Sequence, residues 1–386
     1  MILITDVICI IRNLSGGGAE KIATTLINNL PKNISRILIT IYDSEVKYDI
    51  PEPPITLLKY STNKILRKIM LPVSILKNII VCKSESPKIV LSFLDYDNIL
   101  NLITSFVCDY TPIISIHGMP SFQGSLYIGG KYIQKLQFIL ARIRKAKIIA
   151  VSQGVKNEII SKYNIKGEQI TVLYNPIDVK TIQALSSEKC ESYEFNTNTI
   201  ISAGRLSFEK GQWHLIRAFA KLRETHPAKL IILGEGIEQE YLKRLVSDLN
   251  IINDVYFMVW QDNPYKWMSK STLFVLPSLS ESFGNVLVEA MACGCPVIVS
   301  DCSDGISEIL GYDRKYGLIA KRMSGIRHAS SNPLDEGELS LVELMKQVLD
   351  DNNLREFLSE NGKERAKFFS KESRMKDYED YLNSYL

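Results

Sequence analysis

The sequence predicts an α/β protein built from two doubly wound parallel sheets, and three features of the chain support this. Strand-like apolar runs alternate with helix-like segments along most of its length. The alternation lapses once, after "NPID" at 175–178, and then restarts. The length of 386 residues is enough for two domains of ordinary size. We therefore predict two domains with a cleft at the carboxyl ends of their strands, where ligands of such folds bind.

The first domain is predicted over residues 1–180. Its first run, "MILITDVICII", is interpreted as a strand and not as a signal peptide, because Asp6 interrupts it and no basic region precedes it. The later predicted strands are "ISRILITIY", "PKIVLSFL", "TPIISIH", "AKIIAVS" and "QITVLYN". The predicted helices are "AEKIATTLINNL", "NILNLITSFV" and "GVKNEIISKY". This order of elements is typical of a parallel sheet with helical crossovers.

The polar and weakly patterned stretch at 181–198 is predicted to be a linker, and a second domain follows over 199–365. Its predicted strands are "TIISAGR", "AKLIILG", "DVYFMVW", "LFVLPS" and "PVIVS". Its predicted helices are "HLIRAFAKLRE", "EQEYLKRLVSDL", "NPYKWMSKS" and "NVLVEAMAC". Because strands and helices alternate here too, we expect binding residues in the loops that follow the strands.

Composition excludes several classes of protein. With 46% apolar and 23% charged residues, the chain has an ordinary soluble composition. Its longest apolar runs are far shorter than the roughly 20 residues of a membrane-spanning helix. The seven cysteines form no paired CxxC modules, so neither a disulfide framework nor a zinc site is predicted. This cysteine usage indicates a reducing compartment, and we expect the protein to be cytoplasmic.

Charge is distributed unevenly along the chain. Residues 1–180 contain 22 Lys and Arg against 13 Asp and Glu, a net charge of +9, and the remainder carries −6. Two stretches without any acidic residue lie at 64–83 and 110–157, and the first mixes basic with apolar residues like an amphipathic surface segment. Pro72 must break or kink that segment. Anionic lipid or a polyanionic ligand suits both stretches, as does a solvated helical face, and no nucleic-acid-binding module is present.

Two loops carry candidate phosphate-binding groups. In "LSGGGAEK" three glycines separate a strand from a helix, so backbone N–H groups at the helix start can approach an anion. This is not a dinucleotide fingerprint, because the third spaced glycine is missing. The second loop, "AGRLSFEKGQ", places Arg205 and Lys210 between a strand and a helix, where paired cations suit two phosphates. Taken alone, the first loop is equally compatible with a tight structural turn, and the second is better explained as two surface basic residues at a turn.

The stretch "SLSESFGNVLVEAMACGCPVI", residues 278–298, is the most distinctive in the chain. A buried strand leads into a loop and a helix begins near Gly284, so the amides of residues 283–287 form a positive helix end. Glu281 lies just before this helix, and Glu289 lies about two turns along it. Alone, Glu281 is equally a favourable acid at a helix start, and Glu289 a solvated helix residue. Together with two cations and a glycine-rich loop, the stretch indicates a nucleoside diphosphate attached to a further group.

The motifs "AGRLSFEKG", "LGEG", "VLPSLSESFGNVLVEAMACGCPVIVSD" and "GGGAEK" together resemble those of glycosyltransferase family 4, retaining enzymes with the two-domain GT-B fold. The resemblance extends over nearly the whole chain. It implies that the last helix, at about 366–386, packs back on the first domain. It implies catalytic roles for Glu281, His117, Arg205 and Lys210. It implies a donor site made of Gly17, Arg205, Lys210, Gly234, Glu235, Trp260, Phe283, Gly284, Asn285, Val286, Leu287 and Glu289. After "VYFM", this chain has "VWQ" where many members have a glycine.

The resemblance also implies transfer of a sugar with retention of its anomeric configuration. One account is attack from the same face, with the leaving phosphate helping to deprotonate the acceptor. The other is a double displacement with Glu281 as the nucleophile. On the first account, Arg205, Lys210 and the helix start stabilise the leaving diphosphate electrostatically. No metal is expected, because "DYD" at 95–97 is interpreted as an ordinary strand-to-helix loop and the cations already present replace an ion.

The stretch 263–310 looks most like bacterial transferases that add galactose or N-acetylgalactosamine during assembly of O-antigen and related glycans. This favours a UDP-sugar donor, and GDP-mannose is the alternative. It also favours a polyprenyl-diphosphate-linked oligosaccharide acceptor, so we expect the basic first domain to associate peripherally with the anionic inner face of the membrane. A sugar-nucleotide epimerase and a non-catalytic subunit of a glycan-assembly complex remain alternatives. A dinucleotide oxidoreductase is disfavoured by the incomplete fingerprint.

Overall fold

A computed structural model of the protein describes residues 5–50, 52–63, 70–126, 129–190, 194–195 and 197–386. The chain divides into two compact units. The first comprises residues 1–176 and 372–386, and the second comprises residues 177–371. Each unit is built around one parallel sheet. The interval predicted as a linker, 181–198, lies within the second unit and begins inside a helix.

The first unit contains a seven-stranded sheet in the order β3-β2-β1-β4-β5-β6-β7, with every neighbouring pair parallel. Its strands are β1 (Val7–Ile11), β2 (Arg36–Tyr42), β3 (Ile55–Leu58), β4 (Ile89–Ser92), β5 (Thr111–Ile116), β6 (Lys147–Ala150) and β7 (Ile170–Val172). In the central strand β1, all five residues are buried. A strand that is apolar on both faces is typical of a parallel sheet covered by helices on both sides.

The helices of the first unit are α1 (Gly18–Asn29), α2 (Leu71–Glu85), α3 (Asp95–Thr104), α4 (Pro120–Ser125), α5 (Gly130–Ile143) and α6 (Gln153–Tyr163). They pack on the sheet through apolar stripes with helical spacing. In α1, for example, Ile22, Ala23, Leu26 and Ile27 are buried, as the spacing of i, i+4 and i+5 predicts for one helix face.

Two local features of the first unit differ from the sequence-based expectation or refine it. Helix α3 begins at Asp95, so Asp95 and Asp97 occupy its first turn and not a loop, a position that favours acidic side chains. Helix α2 begins at Leu71, and Pro72 lies in its first turn, where a missing N–H removes no helical hydrogen bond. Residues 64–69 of the predicted amphipathic segment lie outside the described residues.

The second unit contains a six-stranded parallel sheet in the order β10-β9-β8-β11-β12-β13. Its strands are β8 (Asn198–Ala203), β9 (Ala228–Leu233), β10 (Val255–Met258), β11 (Leu273–Leu276), β12 (Val297–Ser300) and β13 (Leu318–Ala320). Its helices are α7 (Val179–Ser186), α8 (Gln212–Arg223), α9 (Gln239–Asp248), α10 (Tyr265–Met268), α11 (Asn285–Ala292), α12 (Asp304–Leu310), α13 (Glu336–Asp350) and α14 (Asn352–Phe368). Residues of α8 and α13, including Trp213 and Met345, form much of its core.

The last helix, α15 (Lys371–Asn383), returns the chain to the first unit. Its buried residues Met375, Tyr378 and Leu382 join the apolar core around β1 and α1. The Tyr378 hydroxyl donates to the carbonyl of Leu173, 3.4 Å away, at the end of β7. Two chain segments distant in sequence therefore complete one core.

Strand order determines where each sheet offers a binding crevice. In the first sheet the order reverses between β1 and β4, and in the second it reverses between β8 and β11. In open parallel sheets, ligands bind beyond the carboxyl ends of the strands at such a reversal. The loops after β1, β4, β8 and β11 are therefore the structural candidates for binding. Among the described helices, none combines the length and the apolarity needed to cross a bilayer.

Candidate functional site

The glycine-rich loop after β1 holds Gly17 between two partners. The Gly17 N–H lies 2.8 Å from the hydroxyl oxygen of Tyr48, and that hydroxyl lies 2.8 Å from the Gly17 carbonyl. A Cβ atom on Gly17 would lie 2.2 Å from Oε2 of Glu20, so the Glu20 carboxylate packs directly against this glycine. The Gly17 amide is thus engaged with Tyr48, and an anion bound here would face a neighbouring carboxylate.

His117 follows β5 at the carboxyl edge of the first sheet. Its Nε2 lies 2.9 Å from the hydroxyl oxygen of Ser115, and its ring packs against Phe93 with 5.6 Å between ring centroids. Burial lowers the pKa of His117 to about 4. The imidazole is therefore neutral at physiological pH, and it can exchange hydrogen bonds with a hydroxyl group without adding a positive charge.

The two aspartates of the "DYD" motif have different environments. Asp95 accepts a hydrogen bond of 2.7 Å from Nε2 of Gln134. Asp97 is fully buried, and neither of its carboxylate oxygens has a hydrogen-bond partner among the described residues. Burial raises the pKa of Asp97 to about 8, opposed by the positive charge of Arg12. Asp97 is therefore largely protonated at neutral pH, which disfavours it as a cation ligand.

The loop after β8 places two cations at the reversal point of the second sheet. Arg205 is exposed, and within the described part of the chain its guanidinium has neither an ion pair nor a hydrogen-bond acceptor. Lys210 lies 2.7 Å from Oε1 of Glu281 and forms an ion pair with it. The two predicted cations therefore differ, because Arg205 is available to an anion and Lys210 already contacts a carboxylate.

The loop after β11 leads into helix α11 through a left-handed glycine. Gly284 has φ of +97°, a conformation that other residues rarely adopt, and it caps the helix. The N–H groups of Gly284 and Val286 donate to no group within the described residues. The Leu287 N–H is occupied by the Gly284 carbonyl at 2.9 Å. The amides of Gly284 and Val286 are thus the ones that this helix start offers to an anion.

The side chains around this helix start are mostly buried. Phe283 is almost fully buried and packs edge-on against Phe369, with 5.3 Å between ring centroids. Glu281 and Glu289 are each only 8% exposed. The sequence alone is compatible with Glu289 as a solvated helix residue, and its burial excludes that interpretation. Asn285, by contrast, is half-buried at the first position of the helix.

The loops after β9 and β10 complete this edge of the second sheet. Gly234 has φ of +135°, and a Cβ atom there would lie 2.1 Å from the carbonyl oxygen of Gly204, so the two loops approach each other backbone to backbone. Next to it, the Glu235 carbonyl accepts a hydrogen bond of 2.9 Å from the Leu206 N–H, and its side chain is exposed. Trp260, just after β10, is 49% exposed. Gly234, Glu235 and Trp260 thus lie in loops at the same carboxyl edge of the sheet as the loops after β8 and β11.

A buried polar network behind this edge was not predicted from the sequence. Glu338 Oε1 lies 2.8 Å from Nδ1 of His214 and accepts from Nε of Arg217 at 2.9 Å. Arg217 also donates to three carbonyls of the segment 321–335, those of residues 329, 332 and 333. His214, Asp335 and Glu338 are close enough to hold a metal ion, but Arg217 already supplies the positive charge. We interpret the network as an anchor for the segment 321–335, which joins β13 to α13.

Ser278 is a second residue that sequence reasoning did not select. Its hydroxyl donates a hydrogen bond of 2.7 Å to Oε1 of Glu281, and its side chain is fully buried. The sequence contained a signal for it, because a serine directly after a buried strand and three residues before a glutamate can reach that carboxylate within one turn.

Comparisons with known proteins match the sequences of both units. The profile of the family described as Glycosyl transferases group 1 matches residues 188–365, and that of Glycosyltransferase Family 4 matches residues 16–181. A Campylobacter jejuni protein named N-acetylgalactosamine-N,N'-diacetylbacillosaminyl-diphospho-undecaprenol 4-alpha-N-acetylgalactosaminyltransferase is 30% identical over 376 residues, covering 96% of this chain and 98% of that protein. The lipopolysaccharide 1,6-galactosyltransferase of Salmonella typhimurium is 32% identical over 167 residues, covering 42% of this chain and 45% of that protein.

A solved structure shows the same fold. The crystal structure of Anabaena HepE in complex with UDP and glucose matches with a TM-score of 0.81 at 20% identity, and the match covers 98% of this chain and 100% of that one. At this level of identity, the likeness concerns the architecture of the two sheets and their helices.

Proposed function

The chain belongs to glycosyltransferase family 4 and has the GT-B fold, and from this premise we propose that it transfers a hexose or N-acetylhexosamine, in α linkage, onto a polyprenyl-diphosphate-linked oligosaccharide. The transfer belongs to the assembly of O-antigen, lipopolysaccharide or capsule. The observation that carries the proposal lies at the reversal point of the second sheet, where the loop after β8 carries the exposed Arg205 and places Lys210 against Glu281, just before the start of α11. Cations and helix-start amides at such a point suit a diphosphate.

The proposed donor is UDP-galactose or UDP-N-acetylgalactosamine. The name of the Campylobacter jejuni relative describes an N-acetylgalactosaminyltransferase that acts on a diphospho-undecaprenol-linked substrate, and that relative matches nearly the whole of this chain. The name of the Salmonella relative describes a galactosyltransferase of lipopolysaccharide. Both favour the galactose series over mannose.

We assign different residues of the second unit to different parts of this donor. The groups assigned to bind the diphosphate are Arg205, Lys210 and the amides of Gly284 and Val286. Glu289 is assigned to the ribose and Glu281 to the transferred sugar. The base is assigned to the edge formed by Gly234, Glu235 and Trp260. Phe283 and Leu287 are buried and hold the helix start in place. Asn285, the first residue of α11, is assigned to the same donor site.

Catalysis in this proposal is mainly electrostatic. Negative charge develops on the leaving diphosphate as the glycosidic bond breaks, and Arg205, Lys210 and the helix start stabilise that charge without reorganising. The leaving phosphate helps to remove the proton of the acceptor hydroxyl, so the sugar is attacked from the face that the diphosphate leaves. In the first unit, we assign His117 and Gly17 to the reaction, with His117 acting as a neutral hydrogen-bonding group. No metal ion is assigned a role.

The acceptor is held in a membrane, and helix α5 offers a surface suited to it. Tyr132 is 80% exposed, and Leu136 lies one turn further on and is also exposed. Lys131 and Lys135 flank these apolar side chains, and the exposed Ile143 ends the helix. The apolar side chains can insert shallowly into a bilayer, and the lysines beside them are attracted to anionic lipid headgroups. We assign this face of α5 to peripheral binding of the cytoplasmic membrane surface.

A ligand screen followed by product analysis tests the proposed function. UDP is expected to raise the Tm of the protein, whereas GDP and ADP are not, because a ligand that binds only the folded state stabilises it. The Arg205→Ala variant serves as the control and is expected to lose the response. A response to GDP alone would replace the proposed donor by GDP-mannose. Chromatography must then show a new glycosidic product, since a rearranged sugar nucleotide would instead identify an epimerase.

A further inference from the structure

The carboxylate of Glu281 uses one of its two oxygens for all of its contacts. Oε1 accepts hydrogen bonds of 2.7 Å from Nζ of Lys210 and 2.7 Å from the hydroxyl of Ser278. Within the described residues, no donor reaches Oε2. The Glu281 side chain as a whole is only 9% exposed. A nearly buried carboxylate with one unused oxygen is ready to accept a hydrogen bond from a ligand.

Ser278 itself is fixed by its surroundings. Its carbonyl accepts a hydrogen bond from the hydroxyl of Ser300, at the end of the neighbouring strand β12. The next amide, that of Leu279, donates to the Glu209 carbonyl at 2.8 Å. Gly211 packs so closely that a Cβ atom on it would lie 2.4 Å from the Pro277 carbonyl oxygen. The loop after β11 is therefore fastened to both β12 and the loop after β8, and these contacts hold the backbone that carries the Ser278 side chain.

Two donors on one oxygen determine the plane of the carboxylate. The terminal torsion of a glutamate is broad and roughly two-fold, so an unrestrained carboxylate rotates easily. Lys210 alone restrains it weakly, because its ammonium group has three donors on a flexible chain and also serves the diphosphate. When a diphosphate draws the Lys210 side chain toward itself, Ser278 is the remaining rigid donor to Oε1.

We propose that Ser278 is a positioning residue for the transfer step, holding Glu281 so that Oε2 faces the sugar of the donor. Ser278 does not touch the substrate and acts only through Glu281. The inference rests on the proposed function, because it takes the ligand of Glu281 to be the sugar. It predicts that Ser278 contributes to recognition of the sugar and to turnover but not to recognition of the nucleotide.

The test compares Ser278→Ala with Ser280→Ala. Ser280 lies on the same loop, is half-buried and makes no hydrogen bond within the described chain, so it is the matched control. Calorimetry measures binding of UDP and of UDP-N-acetylgalactosamine to each protein. For Ser278→Ala, we expect binding of the sugar nucleotide and kcat each to fall about tenfold, the effect of one hydrogen bond to a charged group, with UDP binding unchanged. Ser278→Cys, which keeps a weak donor, is expected to lie between the wild type and Ser278→Ala.

A merely structural role for Ser278 gives a different result. Loss of UDP and UDP-sugar binding by equal factors in Ser278→Ala, together with a lowered Tm, would overturn the proposal. So would unchanged binding and turnover in both serine variants.

A crystal structure of Ser278→Ala without any ligand separates this inference from the proposed function. We expect the Glu281 carboxylate to be rotated or split between two orientations, with its contact to Lys210 altered. A carboxylate in the original orientation would refute the positioning role, whatever the donor is. Absence of UDP and UDP-sugar binding in the wild type would instead refute the proposed donor, while a rotated Glu281 would still support the role of Ser278 in holding it.

Discussion

At the scale of single residues, the site depends on how each charge is paired before any ligand binds. Arg205 is exposed and has no acidic partner within the described chain, whereas Lys210 shares the Glu281 carboxylate with Ser278. Removal of Arg205 therefore takes away a cation and little else. Removal of Lys210 also leaves a nearly buried carboxylate without its counter-charge, which costs stability.

Arg205→Ala and Lys210→Ala are each expected to lower kcat about 100-fold, a loss typical of groups that stabilise charge in a transition state. Arg205→Ala should keep the Tm of the wild type, and Lys210→Ala should lower it. Steady-state kinetics and thermal unfolding measure the two effects. The control is Arg244→Ala, which removes an exposed arginine of α9 that has no partner within the described chain. Near-normal turnover in both site variants would contradict the site.

Asp97 provides a stability prediction with a defined pH window. Burial raises its pKa from 3.8 to about 8 in the folded chain. Between these values the folded protein holds a proton that the unfolded chain releases, so stability falls as pH rises through the window. Asp97→Asn keeps the shape and removes the charge. We expect it to raise the Tm clearly at about pH 8 and much less at about pH 4.

Thermal unfolding across this pH range checks the Asp97 prediction, and Asp109→Asn at an exposed position is the control. Because His117 is unchanged in both variants, its own titration cancels from the comparison with the wild type. An equal shift in Tm at both ends of the range would show that the charge of Asp97 is not responsible.

The sequence revealed which residue types mattered but not how they pair. Arg205, Lys210 and Glu281 were selected because each follows a strand that local patterns identify. The Lys210–Glu281 ion pair joins residues 71 positions apart, and no local pattern encodes a contact of that kind. The burial of Glu289 and Asp97 was missed for the same reason, because it depends on elements that pack from elsewhere in the chain.

At the scale of secondary-structure elements, every strand was predicted from the sequence except β3 and β13, two short strands at sheet edges. β1 is a continuous apolar run, and β8 contains the apolar pair Ile200 and Ile201 in a buried strand. β3 and β13 were missed, because they are four and three residues long and partly exposed at the edges of their sheets. Helix α5 was also missed as a helix, although its lack of acidic residues had marked the region as a surface of interest.

Helix α5 carries the prediction on membrane binding. A variant with Lys131, Lys135, Arg142 and Arg144 changed to Gln should lose binding to vesicles of high anionic lipid content. Each basic residue near such a surface contributes about 1 kcal/mol, and binding should weaken with salt. Co-sedimentation with liposomes of graded anionic content is the measurement.

The control for this experiment removes the same charge from the second unit, with Lys243, Arg244, Lys363 and Lys367 changed to Gln at exposed positions. We expect that control to bind vesicles like the wild type. Equal loss in both variants would show that only net charge matters. Undiminished binding of the α5 variant would show that this face of the helix does not contact the membrane.

At the scale of the whole molecule, the fold was the most predictable feature. Two runs of alternating strands and helices predicted two parallel sheets, and the order of strands in each places the reversal points where the motif residues follow β8 and β11. The return of α15 to the first unit, which the family resemblance implied, is confirmed, although it depends on packing of Met375, Tyr378 and Leu382 and not on any local pattern.

The whole enzyme is expected to work without a divalent metal ion. In the proposed mechanism, the diphosphate is met by positive charge from Arg205, Lys210 and the start of α11. In the described chain, the one cluster with spacing suited to a metal consists of His214, Asp335 and Glu338, and Arg217 already pairs with its Glu338. Turnover should therefore survive EDTA. If chelation abolished transfer and Mn²⁺ or Mg²⁺ restored it, the roles of Asp95 and Asp97 would need revision.

The most direct test of the central claim is the anomeric configuration of the product. The purified protein is incubated with UDP-galactose, UDP-N-acetylgalactosamine or GDP-mannose and a polyprenyl-diphosphate-linked oligosaccharide, and the new linkage is assigned by NMR. The account predicts an extended oligosaccharide with an α linkage, formed from one of the two UDP-sugars. A β linkage, or a reaction that releases only free sugar or a rearranged sugar nucleotide, would contradict it.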